Sequence, residues 1–171
     1  MQKDLKDAIV EVSRSYGFRP RYLIAIALRE NSGRWAGTRH EPAYRWLWDV
    51  TNNRPFTLSR SRKQVLPRGF TGLPGVTTAA EEFDGQMTSW GPMQVMGAVA
   101  REYGFRGRFQ ELQGRTGVEY GVRHFVLLYR RLYRRFGIAG VVSAYNDGDP
   151  NPRNNAEYVF AVMDAAKAYK E

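Results

Sequence analysis

Cysteine is absent from this chain, and only two histidines, His40 and His124, occur among its 171 residues. The first absence removes disulfides, thiolate nucleophiles and cysteine-held zinc. The second leaves little room for imidazole chemistry. The two histidines are far apart in sequence, neither sits in a nucleophile motif, and no metal site or cofactor is expected. Long apolar runs are missing as well; none approaches the ~20 residues of a membrane span. The stretch "MQKDLKDAIVEVSRSYGFRP" mixes both charge signs and carries no secretory signal pattern. Acidic residues are scarce beside basic ones: 17 Asp and Glu face 26 Lys and Arg, a net charge of +9. That balance suits an acidic partner, whether nucleic acid, anionic membrane or anionic wall polymer. Internal repeats and low-complexity linkers are lacking too, so residues 1–171 are expected to form a single domain.

What is present is mostly helical patterning. Leu5, Ile9, Val12 and Tyr16 recur at helical spacing from about Gln2 to Tyr16, closed by Gly17. Pro20 suits the first turn of a second helix through Glu30, stopped at Asn31 and Gly33. Residues 34–88 read as a long irregular insert, rich in Arg, Pro, Gly and Thr. Within it "YRWLWDV" is expected to be a short helix and "TNNRPFTLSRSRKQVLPRGFTGLPG" loop or weak strand. Pro92 then suits the start of a helix turning Val95, Met96, Val99 and Tyr103 inward, stopped by Gly104. A further helix carries Val118, Val122, Phe125, Tyr129, Leu132 and Phe136 on one face and Arg130, Arg131, Arg134 and Arg135 on the other. A shorter helix spans about Ile138 to Tyr145, "NDGDPNPR" is a turn, and Asn154 with Glu157 resembles a capping box opening a last helix to about Lys170.

Three short stretches carry chemistry. In "LIAIALRENSG" an apolar helix ends on Glu30. A carboxylate at a helix C-terminus meets the negative end of the peptide dipoles, and Leu, Ile and Ala neighbours desolvate its ionised form. Both effects raise the pKa, as a general acid requires; a solvated helix-end glutamate gives the same letters. In "SWGPMQ" a turn entering a helix leaves backbone N–H groups free near Gly91 to Gln94. With the Ser89 hydroxyl, the Gln94 amide and the soft side chain of Met93, these suit an acetamido sugar. A proline in a first turn and a methionine in a core read equally well. In "SAYNDG" the Tyr145 hydroxyl is placed to reach a carboxyl group across a cleft, while Asn146 is read either as lining that cleft or as a helix C-cap.

The three in this order resemble the soluble lytic transglycosylase (SLT) domain, most closely its phage-associated members. "TRHEPAYRW" and "QMTSWGPMQVMG" add to the likeness, which covers roughly residues 18 to 165. The resemblance implies a mainly α, lysozyme-like (goose-type) fold, with the 34–88 insert between the acid-bearing helix and the Ser-x-Gly-x-Met-Gln helix. It further implies a peptidoglycan-cleaving enzyme with Glu30 as single acid and base. Ser89, Met93 and Gln94 would then bind sugar, Tyr145 would orient Glu30, and Asn146 would stand nearby. Asn31, Pro92, Asp147 and the "DPNPR" insertion depart from the family pattern and bear on the shape of the cleft.

One carboxylate suffices for lytic transglycosylation, whereas a hydrolytic lysozyme normally uses two, ~5–9.5 Å apart. Spare carboxylates are Glu41, Asp49, Glu81, Glu82 and Asp84, of which Glu41 in "RHEP" follows the acid most closely. A reading of a different class is a basic module. "LLYRRLYRRFG" suits an anionic membrane or phosphates, but its aromatics fall on the apolar stripe, which argues against base stacking and specific nucleic-acid recognition. The expected partner is the peptidoglycan glycan strand, with the arginine face held to the anionic envelope. The chain is expected to be a monomer unless assembled into a virion, and to reach the periplasmic wall through a holin or inside a phage particle.

Overall fold

Five consecutive apolar residues set the architecture. Leu23, Ile24, Ala25, Ile26 and Ala27 cannot share one helical stripe, so helix α2 (Arg21–Asn31) has to be covered all round. In the computed structural model, which describes residues 1–169, each of the five is at most 2% exposed. Helix α1 (Lys3–Ser15) covers α2 with Leu5, Ile9 and Val12, as their spacing requires. Tyr16 instead caps α1 and lies exposed. Val118, Val122 and Phe125 come from the long helix α5 (Arg115–Asp147), and Tyr158, Val159 and Val162 from α6 (Ala156–Lys167). Gly137 interrupts α5 with φ 62° and ψ −174°, a kink at the point where the sequence divides two helices. Arg130, Arg131, Arg134 and Arg135 lie on its exposed face.

The 34–88 stretch is more regular than its composition implies. Strands β1 (Thr38–His40), β2 (Trp46–Asp49) and β3 (Arg54–Thr57) precede helix α3 (Ala79–Gln86) and strand β4 (Thr88–Trp90). The helix expected at "YRWLWDV" is a β2–β3 hairpin, pairing Trp46 with Thr57 and Asp49 with Arg54. Leu47 points inward while Trp46 is exposed, the alternation of a strand. Asp49 holds the turn by accepting from the Thr51 and Asn52 N–H groups at 3.1 and 3.0 Å.

Helix α3 opens on a capping box, Thr78 with Glu81. Its inner face is polar: Glu82 and Gln86 are fully buried. Helix α4 (Gly97–Glu102) supplies the fully buried Arg101, whose Nε and Nη2 donate to the two Glu82 oxygens at 2.8 and 2.9 Å. Gln86 donates to Glu82 at 2.8 Å and bridges the Trp48 backbone at both its N–H and C=O. Arg101 Nη1 reaches the Phe105 and Gly107 carbonyls, and its guanidinium lies 4.3 Å from the Phe109 ring centre. Every strong polar group of this buried pair has a partner, the condition under which such a pair is tolerated.

The helix expected to begin at Pro92 begins only at Gly97. Gly91 and Gln94 are both left-handed, with φ 71° and 48°, which no helix accommodates. Together they make the tight turn between β4 and a two-residue strand β5 (Val95–Met96). A Cβ on Gly91 would stand 2.0 Å from the Leu112 carbonyl oxygen, so glycine is required there for space as well as for φ. The antiparallel sheet runs β1-β4-β5, with Ser89 between Arg39 and Met96. At the last helix the cap is Asn155 rather than Asn154. The Asn154 amide donates to Asp149, and Glu157 pairs with Arg29. The end expected at Lys170 lies outside the described residues. About half the chain is helical, with a few short strands, a mainly α domain.

Candidate active site

Glu30 is the penultimate residue of α2, where the covered apolar run gives out. Ser32 and Gly33 turn left-handed behind it, and the Gly33 N–H closes the helix on the Ala27 carbonyl at 3.1 Å. Burial raises the Glu30 pKa above its ordinary value, and its position at the carbonyl end of α2 acts in the same direction. Three groups oppose the shift without cancelling it: the Tyr158 hydroxyl, then Arg39, then Arg29. The Tyr158 hydroxyl donates to Glu30 Oε1.

That contact corrects the role expected of Tyr145. The Tyr145 hydroxyl is buried and donates to the Met93 carbonyl at 2.8 Å, so it fixes the β4–β5 turn onto α5. Its ring still belongs to the same neighbourhood, since the field of Glu30 adds to the burial that pushes the phenol pKa up. Tyr158 was legible in principle. It lies on the apolar stripe of α6 beside Val159 and Val162, and a hydroxyl on a buried stripe needs an acceptor.

Ser89 and Gln94 of "SWGPMQ" are bonded to one another, and Ser89 ties them to the backbone of Arg39, whose charge acts on Glu30. Ser89 Oγ donates to Gln94 Oε1 at 2.8 Å and to the Arg39 carbonyl at 3.2 Å, and Ser89 is buried. Gln94 Nε2 donates to the Gly91 and Gly37 carbonyls at 2.9 and 3.2 Å. Met93 is wholly buried, and a Cβ on Gly121 of α5 would stand 2.8 Å from its sulfur. Met93 is therefore a core side chain, not a surface against which a sugar rests. Of the three, only Gln94 keeps partial exposure. Asn31 shapes the turn that leads into β1: its amide donates to the Arg34 and Ala36 carbonyls at 3.0 and 2.9 Å.

Asn146 is exposed within the last turn of α5, and the C-cap is Gly148, so Asn146 caps nothing. Asp147 and the "DPNPR" stretch form successive Asx turns, Asp147 accepting from the Asp149 N–H and Asp149 from the Asn151 N–H, both at 2.9 Å.

The spare carboxylates resolve into separate roles. Glu41 is ion-paired with Arg39 at 2.5 Å, and Arg39 also acts on Glu30, so the two carboxylates share one guanidinium. Asp49, Glu81 and Glu82 are held by the β2–β3 turn, the α3 cap and Arg101. Asp84 borders a cavity of about 280 Å³ with Glu81, Trp90, Arg108 and Phe109, which does not include Glu30.

A second titratable group stands beside Tyr145. Tyr103 Oη lies 3.0 Å from His124 Nδ1, and the His124 ring stands 5.3 Å from that of Tyr145. Burial, assisted by Arg131, pushes His124 down to about 4 and keeps it neutral. Burial likewise raises Glu102, which Arg131 opposes. Among the described residues no three His, Cys, Asp or Glu side chains gather as a metal site. No protein-family model, curated protein or solved structure matches the chain.

Proposed function

We propose that this chain is a lysozyme-like enzyme of the lytic transglycosylase kind, cleaving peptidoglycan between N-acetylmuramic acid and N-acetylglucosamine. The observation that carries the reading is Glu30, a carboxyl group raised by burial and held at one oxygen by Tyr158. With Oε1 engaged, Oε2 is the oxygen left to bear and deliver a proton. It passes to the bridging sugar oxygen, and positive charge develops on the muramoyl ring, where the substrate's own acetamido group stabilises it. Glu30 is now ionised, and Tyr158, Arg39 and Arg29 stabilise that form. It then takes the proton of the muramoyl C6 hydroxyl, which attacks and closes an anhydro ring. The groups that hold the pKa down are thus those the second half-reaction needs. General acid–base assistance of this type contributes about 10²–10⁴ in rate.

Ser89 and Gln94 act in this scheme by holding the β1-β4-β5 wall rigid beside the acid. The arginine face of α5 would keep the enzyme near an anionic wall reached through a holin or from a virion. Glu30→Gln is expected to abolish clearing of purified sacculi while leaving the thermal transition in place; a variant that still clears them removes Glu30 from the mechanism. Mass spectrometry of the fragments should find anhydromuramoyl ends. Reducing ends would mean hydrolysis, with Glu41 as the second carboxylate to test.

A further inference from the structure

From Val50 to Ala80 the chain holds no carboxylate, yet it holds Arg54, Arg60, Arg62, Lys63 and Arg68. Arg54 pairs with Asp49 at the base of the β2–β3 hairpin. The other four, on the loop joining β3 to α3, are all exposed, and none has an acidic partner among the described residues. Between them the loop presents Val65 and Leu66, 75% and 44% exposed.

This exposure is not slack in the chain. Leu58 before the loop and Phe70 after it both tuck into the small core of Leu47, Phe83 and Met87, and Phe70 packs edge-on to Phe56 and Phe83. The Gln64 N–H donates to the Pro42 carbonyl at 2.7 Å, and its side-chain amide reaches back to the Ser59 carbonyl at 2.9 Å. Ser61 Oγ bonds the Lys63 carbonyl at 2.8 Å. With Phe70 buried, Leu58 half-buried and the middle pinned, Val65 and Leu66 are held outward.

We infer that this loop docks on an anionic phospholipid bilayer, with Val65 and Leu66 entering the interface and Arg60, Arg62, Lys63 and Arg68 meeting lipid phosphates. The chemistry separates this partner from the other polyanions. Two adjacent aliphatic side chains gain free energy on leaving water for acyl chains, and nothing comparable against a sugar–phosphate polymer. Sequence-tolerant binding of unstacked bases rests on aromatic side chains on which they stack, and residues 59–69 contain none. Basic residues beside exposed apolar ones are the combination that binds negatively charged leaflets. The loop is a different element from the arginine face of α5, and the inference does not depend on Glu30 being catalytic.

Co-sedimentation of the full chain with vesicles of phosphatidylglycerol and phosphatidylcholine tests this. Binding is expected to the mixed vesicles and not to pure phosphatidylcholine. Val65→Ser with Leu66→Ser should weaken it about tenfold or more with an unchanged thermal transition, both side chains being exposed. Because the chain has no cysteine, Val65→Cys carries a single environment-sensitive dye, whose emission should shift to the blue on the anionic vesicles. The inference is overturned if the mixed vesicles are not bound or the dye stays in water. It is equally overturned if Arg130→Gln with Arg134→Gln removes binding while the Val65/Leu66 variant retains it. Duplex or single-stranded DNA bound at the vesicle-binding concentration, and lost in that variant, would reassign the loop to nucleic acid.

Discussion

At the scale of single residues the molecule turns on two tyrosines with exchanged duties. Tyr158 donates to Glu30, and Tyr145 donates to the backbone of Met93. A hydrogen bond to a carboxylate favours its ionised form, so removing the Tyr158 hydroxyl should raise the Glu30 pKa further. On the proposed mechanism, Tyr158→Phe is therefore expected to extend sacculus clearing to higher pH, because the acid keeps its proton longer. The maximal rate should fall about tenfold or more as orientation and charge stabilisation are lost. A pH–rate profile separates the two effects. Tyr145→Phe should leave that alkaline limb in place and act on stability: it orphans the buried Met93 carbonyl, a cost of about 1–3 kcal/mol in denaturant titration. The sequence placed a tyrosine against Glu30 on the strength of "SAYNDG". Helical spacing alone could not say which of two tyrosines, from α5 or α6, arrives with its hydroxyl at the carboxyl group.

At the scale of elements, legibility followed the chemistry of the buried face. Helix α1 and the part of α5 before Gly137 bury Leu, Ile, Val and Phe at helical intervals, and α2 is an unbroken apolar run, so these helices are legible from their apolar residues and glycine stops. Helix α3 buries Glu82 and Gln86 alongside Phe83, so an apolar pattern never announces it; only the Thr78–Glu81 cap does. The β4–β5 turn was hidden differently. Pro92 suits a helix start, and nothing in the letters reveals that Gln94 adopts positive φ. The Glu82–Arg101 pair gives the element-scale prediction. Arg101→Ala leaves a buried carboxylate without its guanidinium and should destabilise the fold by about 3–5 kcal/mol, measured as a loss of midpoint in urea. Replacing both partners with apolar residues of similar volume should recover part of that loss. A variant pair that is additive instead would mean the two side chains act independently.

At the scale of the whole molecule, an apolar helix delivers an acid to a place where α5, α6 and a small sheet meet. The same burial that tunes Glu30 acts on His124, with a consequence for pH stability. His124 titrates at about 4 in the fold against its ordinary 6.5. The unfolded chain therefore binds the extra proton first, and stability is lost as pH falls from about 6.5 toward 4, on the order of 3 kcal/mol for this group. Glu30 has the opposite sign: its raised value favours the fold below the ordinary carboxylate range and weakens it as pH rises through the shifted value. Replacing His124 with Gln should flatten the acid side of a melting-temperature profile between pH 4 and 6.5 and leave the alkaline side as it was. The most direct measurement concerns the proton on Glu30 itself. Following its side-chain carboxyl carbon by NMR, assigned through Glu30→Gln, should show one titration above 4.5, moving upward in Tyr158→Phe. A midpoint at or below 4.5 that ignores the Tyr158 substitution would contradict the account, leaving an ordinary helix-end glutamate with no proton to give.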